Sequence, residues 1–155
     1  MASELNRLTA REVLDLVPQR PPFRFIDDIL ELDEQHIIGR YTFKANESFY
    51  AGHFPGNPIT PGVILIEAMA QVGVVALGIF LKTLEVPLDE ARKYTTMFTD
   101  ARAEFFGMVR PEEQVTSRAE PVFWRRNKLQ SKVEMTGPDG KIIATAVVSG
   151  LGVKI

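Results

Sequence analysis

The chain has 155 residues, 45% hydrophobic and 25% charged, and its 18 basic and 20 acidic side chains give a formal net charge of −2. This balance suits one globular domain over residues 1–155 with a single core, and excludes a disordered or fibrous chain and a global positive field for nucleic acid or an anionic membrane. The absence of cysteine excludes a disulfide framework and thiolate chemistry, and is compatible with a reducing, cytoplasmic setting.

Along the chain, "MASELNRLTAREVLDLV" lacks the basic start and unbroken apolar stretch of a secretory signal and reads as mature sequence. Thr9 followed three residues later by Glu12 is a capping-box pattern that predicts a helix over residues 10–17, ended by Pro18. "QRPPF" holds the next segment extended. "FRFIDDILELD" and "HIIGRYTFKA" predict two strands joined as a hairpin.

The loop "AGHFPGNPITP" runs into a predicted helix over residues 61–84. Its run from 63 to 81 is apolar apart from Glu67 and Gln71, which makes it a core helix rather than a membrane span. "VPLDEARK" is a polar connection. "YTTMFTDARAEFF", "EEQVTSRAEPVFW", "NKLQSKVEMTG" and "KIIATAVVSGLGV" then read as strands, with "GPDG" turning the chain between the last two. A helix apolar on nearly every face has to be enclosed, so the expected class is α+β, an antiparallel sheet curled around one long helix. The edges of that sheet invite pairing with a second copy.

Two residues carry the chemistry. Glu67 lies in the first third of the buried helix, where an unpaired carboxylate costs several kcal/mol or stays protonated. One turn on, Gln71 stands on the same face, so the glutamate is either merely satisfied by that amide or kept as an acid. His53 sits in a loop whose backbone is fixed by Gly52, Pro55, Gly56, Pro58, Pro61 and Gly62, as a histidine that must be aimed requires. There is no His-x-x-x-His or Glu-x-x-His spacing for a metal and no serine at a strand-to-helix elbow. General acid–base catalysis by His53 and Glu67 remains, with no metal.

"GHFPGNPITPGVILIEAMAQ" resembles the active-site segment of the 3-hydroxyacyl-acyl-carrier-protein dehydratases of FabZ type, which have the hotdog fold. "LVPQRPPFRFIDDILELD" and "ARAEFFGMVRPEEQV" resemble flanking regions of that family, so the similarity covers most of the chain. The resemblance implies a catalytic histidine at His53, framed by Phe54, Pro55 and Gly56, and an acid at Glu67 supported by Gln71. It also implies a backbone N–H at Gly62 that binds the thioester carbonyl. The glutamate, where FabA-type relatives have aspartate, implies dehydration without isomerisation. No cofactor is implied.

The implied partners are an acidic acyl carrier protein and a second copy of the chain. The homodimer joins edge to edge, one subunit supplying the histidine and the other the acid, and three such dimers form the hexamer common in the family. A basic docking patch is expected at Arg125, Arg126 and Lys128, with Arg110 joining it. The chain departs from the family pattern at Gln19, Thr60 and Met108, which touch chain-length preference and pathway rather than the catalytic pair. The alternatives are an acyl thioesterase and a non-catalytic acyl-binding partner subunit; the second usually lacks one of the two catalytic residues.

Overall fold

A computed structural model of the chain describes residues 7–155. The first helix, α1 (Ala10–Leu16), begins at the expected capping box: the Thr9 hydroxyl accepts from the Glu12 N–H, and the Glu12 carboxylate accepts from the Thr9 N–H. Strands β1 (Asp28–Leu32) and β2 (Ile37–Thr42) form the predicted hairpin. In its turn the Asp33 carboxylate accepts from the Gln35 and His36 N–H groups, an arrangement that aspartate favours.

The first strand starts at Asp28, later than the sequence "FRFIDDILELD" suggests. Upstream, the backbone of Phe23 and Phe25 is hydrogen-bonded to the Gln71 side chain instead of to a neighbouring strand.

The central helix, α2, runs over Gly62–Thr83. Its middle, Gln71–Ala76, is a π turn between two α-helical stretches, and every residue of that turn is buried. A π turn loosens the i→i−4 bonding, and here the Ser131 hydroxyl donates to the Gly73 carbonyl at 2.6 Å. By length and composition α2 could cross a membrane, but 67% of its most apolar window is buried by the rest of the protein. The connection read as merely polar contains a short helix, α3 (Leu88–Ala91), begun by Pro87 with Asp89 and Glu90 in its first turn.

Strands β3 (Tyr94–Phe105), β4 (Gln114–Arg125), β5 (Lys128–Thr136) and β6 (Ile142–Lys154) complete one six-stranded sheet of order β1-β2-β4-β5-β6-β3. All of its pairings are antiparallel. Arg126 and Asn127, both at positive φ, turn β4 into β5 as a two-residue hairpin loop.

This is the hotdog arrangement, a sheet wrapped around one helix. Close approach demands small residues on both sides. A Cβ on Gly150 of β6 would lie 2.5 Å from Val74 and 2.6 Å from Thr96, and one on Gly73 would lie 2.8 Å from Val133.

Gly150→Val is therefore expected to overpack the helix–sheet contact and to cost about 1–3 kcal/mol, read as a lower urea midpoint at unchanged slope.

Candidate active site

The loop between β2 and α2 is anchored by aromatic packing and buried hydroxyls. Phe25, Tyr41, Phe43, Phe49 and Tyr50 form a chain of ring contacts. The Tyr50 and Thr60 hydroxyls are hydrogen-bonded at 2.6 Å, and the Thr60 N–H donates to the Val109 carbonyl. Between these anchors Phe54, Pro55, Gly56 and Asn57 make a tight turn closed by bonds in both directions between Phe54 and Asn57. Gly56 takes φ 74°, which the third position of a type II turn requires, and Pro55 precedes it as such turns prefer.

His53 is held on three sides. Its N–H donates to the Phe49 carbonyl, its carbonyl accepts from the Ile59 N–H, and its ring stacks on Phe54 at 4.1 Å. The peptide bond between His53 and Phe54 is cis. Nδ1 lies 2.8 Å from the Ile59 carbonyl oxygen. Since a carbonyl only accepts, Nδ1 carries the hydrogen in the neutral ring and Nε2 presents a lone pair. That is the form of a general base. The other histidine, His36, bonds to Glu31 and Asp33 in the β1–β2 hairpin.

Helix α2 begins uncapped. Pro61 has no polar side-chain atom to offer; its carbonyl accepts from the Ile64 and Leu65 N–H groups, and the Gly62 and Val63 N–H groups have no partner among the described residues. Val63 is 72% exposed, and both donors lie at the positive end of the helix dipole. The Phe105 ring packs on the bare face of Gly62, 3.2 Å from where a Cβ would sit.

Glu67 stands in the next turn. Its Oε2 accepts from the Gln71 amide at 2.9 Å. Gln71 is 0% exposed and fully used: its oxygen accepts from the Phe25 N–H at 2.7 Å, and its nitrogen donates to the Phe23 carbonyl and to Glu67. Burial pushes the Glu67 carboxyl above its ordinary value, and the Gln71 bond opposes this more weakly. The acid form is thereby favoured, with Oε1 free to carry the proton. No hydrogen bond joins His53 to Glu67 within the described chain.

The expected basic patch is divided. Arg110 follows Val109, whose carbonyl is tied to the loop before α2, whereas Arg125, Arg126 and Lys128 sit at the β4–β5 hairpin. The twelve residues of β4 separate the two positions by roughly 36 Å at strand rise. The hairpin instead meets the far end of α2, where Asn127 accepts from Lys82 and Trp124 donates to Glu85. Among the described residues no group of three or more His, Asp or Glu side chains could hold a metal ion.

Sequence reasoning did not find the Ile59 carbonyl that orients His53, the Phe23 and Phe25 backbone that holds Gln71, or Phe105 over Gly62. Of these only Phe105 carried a signal, as an aromatic residue in a predicted strand.

A family model described as a FabA-like domain matches residues 17–146. The chain is 35% identical over 148 residues to the 3-hydroxyacyl-[acyl-carrier-protein] dehydratase FabZ of Bacillus thuringiensis, covering 92% of this chain and 88% of that protein. It is 36% identical over 115 residues to the FabZ of Chlamydia trachomatis, covering 73% and 72%. The chain belongs to the FabA-like family, with FabZ dehydratases among its relatives. Among solved structures, a thioesterase from Haemophilus influenzae superposes with a TM-score of 0.66 at 16% identity, covering 97% of this chain and 94% of that one. A mutant thioesterase from Pseudomonas aeruginosa does so with 0.63 at 16%, covering 97% of each. These two show the shared fold.

The raised Glu67 pKa has a direct consequence for stability. A carboxyl group whose folded value lies above its unfolded one, near 4.3, stabilises the fold at low pH and loses that contribution as pH rises through the folded value. Glu67→Gln removes this ionisation and keeps an acceptor for Gln71. The variant is expected to melt at a higher temperature than wild type at pH 8 and to lose that advantage at pH 4.

Proposed function

We propose that the chain is a 3-hydroxyacyl-[acyl-carrier-protein] dehydratase that converts (3R)-hydroxyacyl thioesters to trans-2-enoyl thioesters in fatty acid or related lipid synthesis. The observation that carries this reading is the Nδ1 bond from His53 to the Ile59 carbonyl, which leaves Nε2 as a base in the loop that leads to an uncapped helix start. His53 takes a proton from C2. The electrons move onto the thioester carbonyl oxygen, which the Gly62 N–H receives. Glu67 then protonates the C3 hydroxyl, the C–O bond breaks as the enolate collapses, and water leaves. His53 ends protonated and Glu67 ionised, and a proton exchanged through solvent restores both.

Positioned acid–base groups contribute about 10² to 10⁴ in rate, and one oxyanion donor about 10² to 10³. Neither has to supply the whole acceleration.

The working unit in this reading is a dimer. Strand β3 is a free twelve-residue edge with Met97 and Phe98 about half exposed, a row of unpaired backbone groups suited to a second copy. Paired antiparallel, the two β3 strands set the Tyr94 end of one against the Phe105 end of the other. Because Phe105 lies on Gly62, each helix start then faces the neighbouring subunit. The basic hairpin of one copy, containing Arg125, Arg126 and Lys128, comes to the Arg110 side of the other and gives an acidic carrier protein a composite basic surface. Three such dimers would make a hexamer, and the proposed location is the cytoplasm.

Purified protein mixed with a crotonoyl thioester is expected to hydrate it, with loss of enoyl absorbance. His53→Ala and Glu67→Gln should each lower the rate by at least about a hundredfold while remaining folded; wild-type-like activity in either would remove that residue from the mechanism. Reversing Arg125 and Arg126 to glutamate should raise KM for the carrier-bound substrate and leave a pantetheine thioester unaffected. Release of free thiol without loss of enoyl absorbance would instead favour the thioesterase reading.

A further inference from the structure

At the end of α2 opposite Gly62 the fold leaves a cavity of about 160 Å³ between the helix, α3, the start of β3 and the β4–β5 hairpin. Val74, Gly78 and Leu129 give it apolar walls, and Lys82, Arg92 and Tyr94 form its polar side. None of His53, Gly62 and Glu67 lines it. Gly78 lies eleven residues beyond Glu67, roughly 16 Å along the helix axis at 1.5 Å per residue.

The charges around the cavity are unbalanced. No acidic side chain lines it. Lys82 donates to the neutral Asn127 side-chain oxygen at 2.7 Å and lies 4.4 Å over the Tyr94 ring, but meets no carboxylate among the described residues. The nearby acids are engaged elsewhere. Glu85 accepts from Trp124, Asp89 from the Glu90 N–H, and Glu90 pairs with Lys93 and Lys154. A half-buried ammonium with only neutral partners, set beside an apolar cavity, is complementary to an anion that carries an alkyl chain.

We propose that this cavity binds a medium-chain alkyl carboxylate, with the chain between Val74, Gly78 and Leu129 and the carboxylate on Lys82. Apolar cavities near 150 Å³ accept a benzene-sized guest, so about six carbons fit inside and the remainder lies toward Lys82. Two sources offer this chemistry: a free fatty acid, or an acyl substrate whose far end is itself a carboxylate. The first is independent of the dehydratase reading and the second rests on it.

Calorimetric titration with octanoate and with 1-octanol tests the site without using turnover. Octanoate is expected to bind about tenfold more tightly than octanol, the gain of one charge-assisted hydrogen bond. Lys82→Met should abolish that preference. An added Cβ at Gly78 meets only Leu129, at 3.8 Å, so Gly78→Leu should fill the cavity, keep the fold and abolish binding of both probes. Equal affinity for the two probes, or an octanoate preference that survives Lys82→Met, overturns the proposal. Hydration of enoyl thioesters ending in methyl or carboxylate then separates the sources. A Lys82-dependent preference for the carboxylate end assigns the acyl substrate, and equal rates assign the free fatty acid.

Discussion

The buried amide of Gln71 is the interaction on which the rest of the site depends. It accepts one backbone hydrogen bond and donates two others, so rotating the helix, sliding residues 23–25 or turning the Glu67 carboxyl would each leave a buried polar group unpaired. Each such group costs about 1–3 kcal/mol. The amide thus fixes three parts of the molecule together. Its reach extends to the histidine as well. The Phe25 backbone bonds to Gln71, the Phe25 ring packs on Phe49 at 6.2 Å, and the Phe49 carbonyl accepts from the His53 N–H. Glu67 and His53 are positioned by one continuous set of contacts.

The same contacts bear on where the protons lie in the proposed dehydration. One group has to arrive with a lone pair and the other with a proton. In a neutral His53 ring the carbonyl acceptor at Nδ1 leaves the lone pair on Nε2, and burial favours the acid form of Glu67. In the proposed mechanism the uncapped start of α2 supplies the donors for the developing negative charge.

Much of this was legible because it is local. The capping box at Thr9 and Glu12, the Pro-Gly turn at 55–56, the buried helix with its single acid and the β character of the C-terminal half all lie within a few residues of the signals that announce them. What was missed is long-range. The late start of β1 follows from an amide 46 residues away, and the π turn meets a hydroxyl 58 residues away. Arg110 and the hairpin arginines look close in sequence because a strand is short in residues and long in ångströms. The helix α3 is a different lapse. Pro87 followed by Asp89 and Glu90 is a local start signal that the polar composition of "VPLDEARK" obscured.

In the proposed dimer the base of one subunit works with the acid of the other. The most direct test of this claim is to unfold His53→Ala and Glu67→Gln proteins together, refold the mixture, and measure enoyl thioester hydration. Random pairing makes half of the dimers mixed, each with one intact site, so about a quarter of wild-type activity should return from two inactive parents. If the mixture stays as inactive as its parents while mixed dimers demonstrably form, the pair acts within one chain and the claim is wrong.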